Sequence, residues 1–168
     1  NIPQYNIFDA SYRLFQAIGY WPEGTVFVSV VDPGVGSARK SVVAKTKTGQ
    51  YIVTPDNGTL THINKFVGIE EVREIDETVI RLHRDDNGYV SIFHGRDLFG
   101  YCAAKLASGK ISFEEVGPTY PVEEIVRHDI RKAQIVDGKL EGTFEINDPN
   151  FGNLWTNIPF TQLIGWHE

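Results

Sequence analysis

Apolar residues in this chain recur at two different spacings, and the switches between them divide it into elements. From Ile7 to Ile18 the spacing is helical: Phe8, Tyr12 and Phe15 share a face, widened by Ile7, Leu14 and Ala17. Asn6 stands where a helix cap is needed, Asp9 lies three residues on, and Gly19 and Pro22 end the pattern. Runs rich in β-branched residues follow at about 25–32, 41–46 and 50–54 and predict strands. Asn57-Gly58 opens a short helical segment through Phe66, and a strand is expected around Glu71–Ile75. A charged stretch runs from Arg81 to Asn87, and a further strand is expected at Tyr89–Phe93. Helical spacing returns after Gly95 and ends at Ser108-Gly109. Strands alternating with helices predict an α/β fold, a mainly parallel sheet covered by helices.

The pattern changes after about Gly117. Pro118 and Pro121 mark a linker, taken as residues 118–132. Within Ala133–Ile146, Asp137-Gly138 separates two apolar runs, a hairpin signal. A further apolar run, Leu154–Ile158, follows. Residues 1–117 therefore read as an α/β domain, and 133–168 as the beginning of an antiparallel β domain. The chain opens on Asn1-Ile2-Pro3, contains no Met and stops at Gly165-Trp166-His167-Glu168. It is read as lacking both ends, the first strand region of the α/β domain included.

Chemistry gathers at the strand ends. The run Thr25–Val31 ends in Asp32, then Pro33-Gly34-Val35-Gly36, with Arg39 seven residues after the acid. A carboxylate at the carboxyl end of a buried strand sits where open α/β sheets hold ligands. The glycines let backbone approach a ligand closely, and a guanidinium nearby suits an anion. A surface turn with a solvated Asp and Arg would carry the same letters. Two more segments end alike: Tyr51-Ile-Val-Thr-Pro-Asp-Asn-Gly58, and Ser91-Ile-Phe-His-Gly-Arg-Asp97 ahead of a helix. Asp32, Asp56 and His94 thus each stand at a strand end near a glycine, which turns alone do not require.

Composition narrows the function. Of 168 residues 41% are hydrophobic, enough for a core, and the net charge of −6 without a Lys/Arg cluster argues against a nucleic-acid partner. No apolar run approaches the roughly 20 residues of a membrane span, and no signal peptide is visible, so a cytoplasmic, membrane-free protein is expected. The single cysteine, Cys102, lies on an apolar helix pattern and reads as a core residue. The five histidines lack metal-ligand spacing, so no metal is expected; His62 reads as a surface or packing residue, and His83 and His128 as parts of a solvated face. Arg96 and Asp97 read as orienting the following helix, and Trp21 and Trp155 as core or interface aromatics. No dinucleotide fingerprint or phosphate loop occurs.

Four strings stand in order: Val31-Asp32-Pro33-Gly34-Val35-Gly36 through Arg39, Pro55-Asp56-Asn57-Gly58, Phe93-His94-Gly95-Arg96-Asp97, and Asp148-x-x-Phe151-Gly152-Asn153. With them the chain resembles, over essentially its whole length, the S-adenosyl-L-methionine hydroxide adenosyltransferases, relatives of the fluorinase and chlorinase enzymes. The resemblance implies an α/β N-terminal domain, a C-terminal β-barrel domain and a homotrimer with sites between subunits. It implies hydrolysis of S-adenosyl-L-methionine to adenosine and L-methionine by water attacking the ribose 5′ carbon. The leaving group is already cationic, so no acid assistance and no cofactor are needed; the demand falls on activating and aligning water.

By the same resemblance the catalytic set is Asp32, Arg39 and His94. A carboxylate or a neutral imidazole can take the proton from water, and Arg39 can orient Asp32 and stabilise developing hydroxide. The sequence leaves open which of Asp32 and His94 is the base. Asp148 and Asn153 match the motif holding the methionine and adenine parts, and Phe151 matches a residue packing on adenine; a tight hairpin using Asp148 and Asn153 for turn hydrogen bonds is the alternative. Phe93 and Gly95, flanking His94, count as substrate-binding, and Tyr5 lies near the position of an aromatic beside the substrate. An early Asp for the ribose hydroxyls would precede Asn1, and late adenine and methionine contacts would follow Glu168, so the chain is expected not to complete a site alone. Two other functions stay open. One is a halogenase, in whose family members a tyrosine stands where Asp32 does and where an ionised Asp32 would repel halide. The other is a non-catalytic protein binding S-adenosylmethionine or adenosine.

Overall fold

The computed structural model describes residues 2–82 and 93–164, and the chain forms two compact units, Asn1–His128 and Asp129–Glu168. It is a mixed α/β protein. The first unit opens with helix α1 (Ile7–Ile18), capped by Asn6, whose Oδ1 accepts the Asp9 N–H at 3.0 Å. Ala10, Leu14 and Ile18 form the buried stripe with Ser11 and Tyr12, while Ala17, expected to widen the apolar face, is exposed.

The sheet contains β1 (Val26–Val28), β2 (Ser41–Thr46), β3 (Tyr51–Pro55) and β4 (Ile69–Glu74), in the order β1-β3-β2-β4. The expected mainly parallel sheet is a mixed one here. Among the described residues only β1 and β3 pair in parallel; β2 is antiparallel to both β3 and β4. The cause is local. Four residues, Lys47–Gln50, join β2 to β3, with Gly49 at φ +84°, and so short a link permits only an antiparallel return. The first strand is also shorter than the apolar run, because its ladder to β3 covers Val26–Val28 before the chain leaves for the turn at Pro33. Of the strand expected at Tyr89–Phe93, residues 89–92 lie outside the described residues, and so does His83; Phe93 itself is not in a strand.

Alternation along the central strands supplies two cores. Val42, Ala44 and Ile52 face α1 and helix α2 (Thr61–Phe66), packing with Leu14, Ile18, Leu60 and Ile63. Val43 and Val53 face the other way, onto Leu98, Phe99, Cys102 and Ala103. Those four lie on a π-helical turn (Gly95–Gly100) running into helix α4 (Tyr101–Ala107). Cys102 is a core residue, its thiol pushed up to about 12 by burial. A one-turn helix α3 (Glu77–Ile80), capped by Asp76, follows β4.

His62 of α2 is fully buried among Phe8, Tyr12, Phe15 and Phe66, with Nδ1 2.8 Å from Ser11 Oγ. Burial first, and the charges of Lys65 and His128 second, push its pKa down to about 4. The unfolded chain therefore takes up this proton near pH 6.5 and the folded one near 4, so the associated stability is complete above 6.5 and is lost as pH falls toward 4. Between pH 6.5 and 5 the parent protein should lose about 2 kcal/mol more than His62→Gln in urea unfolding. Equal losses would contradict this role.

Among its described residues the second unit contains two hairpins. β5 (Gln134–Val136) and β6 (Lys139–Glu141) meet across Asp137-Gly138, both at positive φ (+48° and +71°), the type I′ turn that the Asp-Gly pair predicts. β7 (Phe144–Asp148) pairs antiparallel with β8 (Asn153–Thr156), and helix α5 (Phe160–Ile164) follows. Trp21 and Trp155 are both exposed in the described residues.

Candidate active site

A turn brings Asp32 to Arg39. After Asp32 the chain folds over Pro33–Gly36: the Val35 N–H donates to the Asp32 carbonyl (3.3 Å) and the Ser37 N–H to that of Gly34 (3.0 Å). Gly36, at φ +83°, occupies the left-handed region that a side chain would resist. The chain returns with Arg39 Nε 3.0 Å from each Asp32 carboxylate oxygen and Nη2 2.5 Å from Oδ2. Both side chains are sheltered, 10% and 6% exposed, so this is a desolvated ion pair and not a solvated surface one. A Cβ on Gly34 would sit 3.9 Å from Asp32 Oδ1, an ordinary contact distance, so the turn passes close beside that oxygen.

Two more of the four strings, Pro55–Gly58 and Phe93–Asp97, come close to the first. Asn57 Nδ2 donates to the Val31 carbonyl at 2.9 Å, tying the residue before Asp32 to the end of β3. A Cβ on Gly95 would lie 4.0 Å from Val30 Cγ1 and 3.6 Å from the Phe93 ring, so the π-helical turn starts beside the segment that leads from β1 to Asp32. From that turn the buried Phe99 ring lies 5.4 Å from the Arg39 guanidinium carbon. His94 is the residue from which the turn starts.

Asp32 and His94 are not joined directly by a hydrogen bond among the described residues. They are linked through other side chains. Arg39 Nη1 donates to Ser41 Oγ (2.7 Å), Ser41 Oγ donates to Glu77 Oε1 (3.4 Å), Arg81 Nη2 donates to Glu77 Oε2 (2.5 Å), and the same Nη2 lies 2.9 Å from His94 Nε2. The formal charges alternate along the line: Asp32 negative, Arg39 positive, Glu77 negative, Arg81 positive.

In the second unit Asp148 and Asn153 are the closing pair of the β7–β8 hairpin, with the Phe151 N–H donating to the Asp148 carbonyl at 3.2 Å and Gly152 at φ +66°. Asp148 is buried, whereas Phe151 is 80% exposed and Asn153 is exposed. The hairpin thus supplies turn geometry and, on the same loop, an uncovered aromatic ring.

A family model described as the SAM hydroxide adenosyltransferase N-terminal domain matches residues 1–117. The chain belongs to the SAM hydroxide adenosyltransferase family. Among curated proteins, the (R)-S-adenosyl-L-methionine hydrolase of Methanocaldococcus jannaschii is 36% identical over 158 residues, 94% of this chain and 51% of that protein. A fluorinase of an Actinoplanes species is 32% identical over 167 residues, 86% of this chain and 54% of that one. The chain therefore spans about half the length of these relatives. Among solved structures, an uncharacterized conserved protein from Thermotoga maritima superposes with a TM-score of 0.86 at 38% identity, covering 99% of this chain and 61% of that one.

Other residues singled out from the sequence take different places in the fold. Asp56 is an internal anchor: buried, it accepts hydrogen bonds from Tyr120 Oη (2.9 Å) and the Val126 N–H (3.0 Å) and so fixes the 118–128 segment. Burial raises its pKa, and these two bonds and Lys40 pull it back. His128, read as part of a solvated face, is packed instead: its ring lies against Phe8 and Gly58, and its Nε2 is buried. Arg96 closes a fork on the carboxylate of buried Asp97 and lies 5.7 Å from the Phe93 ring, which is exposed. Tyr5 is exposed, at φ +64°, next to the α1 cap. Among the described residues, no helix is long and apolar enough to cross a membrane and no cluster of three or more His, Cys, Asp or Glu gathers as metal ligands would. Reasoning from sequence missed Ser41, Glu77 and Arg81. The signal for the last two was present: Glu77-x-x-x-Arg81 is an i, i+4 pair, which one helical turn places side by side.

Proposed function

We propose that this protein hydrolyses S-adenosyl-L-methionine to adenosine and L-methionine. The observation that carries the reading is the sheltered Asp32–Arg39 pair at the turn that follows the first strand. Arg39 occupies Asp32 Oδ2 twice and Oδ1 once, which leaves Oδ1 a lone pair for a water O–H. In the reaction the water oxygen bonds to the ribose 5′ carbon as the carbon–sulfur bond breaks. The bonding pair goes to sulfur, which becomes the neutral thioether of methionine, and the water proton passes to Asp32 and on to solvent. Holding water on a fixed carboxylate opposite the sulfur converts an encounter into an intramolecular step. The relatives' names support the substrate: the archaeal one is an S-adenosyl-L-methionine hydrolase.

In this reading Asp32, Arg39 and His94 serve the reacting centre. Phe93, Gly95 and Tyr5 border the substrate, and Asp148, Phe151 and Asn153 hold its adenine and methionine parts. The domain division is 1–117, a 118–132 linker and 133–168, the last being the start of a β-barrel. The active form is a homotrimer, cytoplasmic and without a cofactor, with each site formed between subunits. The Actinoplanes fluorinase supports a second reading, a halogenase. The carboxylate of Asp32 opposes it, since a halide ion would have to approach a sheltered anion. Incubating the full-length protein with each sulfur epimer of S-adenosyl-L-methionine and separating the nucleosides tests the proposal. Adenosine is expected from one epimer; no turnover of either would leave only a binding function.

A further inference from the structure

The line from Arg39 to His94 ends in an arrangement that fixes a proton. Arg81 Nη2 bears two hydrogens. One points to Glu77 Oε2 at 2.5 Å, and His94 Nε2 lies 2.9 Å away for the other. A guanidinium donates and never accepts. The contact is therefore a hydrogen bond only when His94 Nε2 offers its lone pair. An imidazolium, or a neutral ring protonated on Nε2, would set N–H against N–H at that distance. The ring proton then belongs on Nδ1, and Nδ1 is buried with no hydrogen-bond partner among the described residues. A sheltered donor left unpaired is costly, so a polar atom of a ligand or its water is what this nitrogen is set to meet.

We infer that Arg81 is a positioning residue that holds His94 as the neutral Nδ1–H tautomer, so that His94 donates a hydrogen bond to the ligand or to the attacking water and Asp32 alone accepts the proton. The inference rests on the hydrolase reading for its catalytic meaning but not for its structural content. Glu77 makes the arrangement tolerable. Its carboxylate lies between Arg81 and, through Ser41, Arg39, so the guanidinium beside the imidazole is neutralised by a carboxylate on its other side. The parts come from separate elements: Ser41 opens β2, Glu77 begins α3, Arg81 follows α3, and His94 begins the π-helical turn whose Phe99 lies against Arg39.

The test is the protonation pattern of the ring itself. Full-length protein labelled with ¹⁵N-histidine, at neutral pH, is examined by long-range ¹H–¹⁵N correlation with His94→Gln as the assignment control. The expected spectrum has Nδ1 protonated and Nε2 bare; an Nε2–H ring or a doubly protonated one in the parent protein overturns the inference whatever the protein catalyses. In Arg81→Met the tautomer should change or become mixed, whereas Arg81→Lys, which retains a donor, should preserve it. With S-adenosyl-L-methionine, Arg81→Met should lower kcat between roughly 10- and 100-fold with KM nearly unchanged, the pattern of lost positioning. Unchanged kcat in a folded Arg81→Met protein would also overturn it. A parent protein that makes no adenosine yet shows the Nδ1–H ring would instead defeat the hydrolase reading and leave the tautomer assignment standing.

Discussion

Asp32→Ala in the full-length protein is expected to lower adenosine formation by at least about 10²-fold, the low end for loss of acid–base assistance. The expectation comes from geometry. Asp32 is the carboxylate at the turn after the first strand, with its orientation set by three contacts from Arg39. KM should move much less, because the adenine and methionine contacts are assigned to other residues. Asp32→Asn sharpens the test. It retains the shape and one oxygen for Arg39, but an amide does not take a proton from water. The two variants should fall together in kcat; near-normal turnover by Asp32→Asn would remove Asp32 as the proton acceptor.

The second large effect is on stability. Arg39→Met should cost about 3–5 kcal/mol, because it leaves the Asp32 carboxylate, 6% exposed, without its counter-charge. It also strips Ser41 Oγ of the Arg39 donor and the Phe99 ring of its cation. The double variant Asp32→Asn/Arg39→Met removes both charges and should be more stable than the sum of the single losses implies, since the uncompensated carboxylate is gone. Urea unfolding of the four proteins checks this. Additive losses would mean that the pair contributes nothing beyond its separate side chains.

Local signals carried much of the fold. The α1 cap at Asn6, the stop at Gly19 and the Asp137-Gly138 turn are each set by a residue or two, and the structure has them where the letters put them. Strand direction was a different matter. It depended on how tightly Lys47–Gln50 turns, and two apolar runs four residues apart do not reveal by hydrophobicity alone that the second strand runs backward. The helix expected after Gly95 exists, but its first turn is π-helical, a widening to which apolar periodicity is blind.

The same division runs through the site. Asp32 and Arg39 were legible because a seven-residue spacing across a Pro-Gly turn is short enough to predict a meeting. His94 was legible as a residue, but its surroundings were not. Its partner Arg81 stands thirteen positions earlier in a charged stretch that looks like solvated surface, and only the folded chain brings them to 2.9 Å. Asp56 had the same outward signature as Asp32. What separates them is long-range: Tyr120 and Val126 come from more than sixty residues away to occupy its oxygens.

The central claim is that water, held by Asp32, attacks the 5′ carbon directly, and product identity tests it. The full-length protein is incubated with S-adenosyl-L-methionine in ¹⁸O-labelled water at high chloride or fluoride, and the nucleoside products are weighed by mass spectrometry. The account predicts adenosine as the sole nucleoside, carrying one labelled oxygen at its 5′ position. A substantial 5′-halo-5′-deoxyadenosine signal, or adenosine without the label, would contradict it.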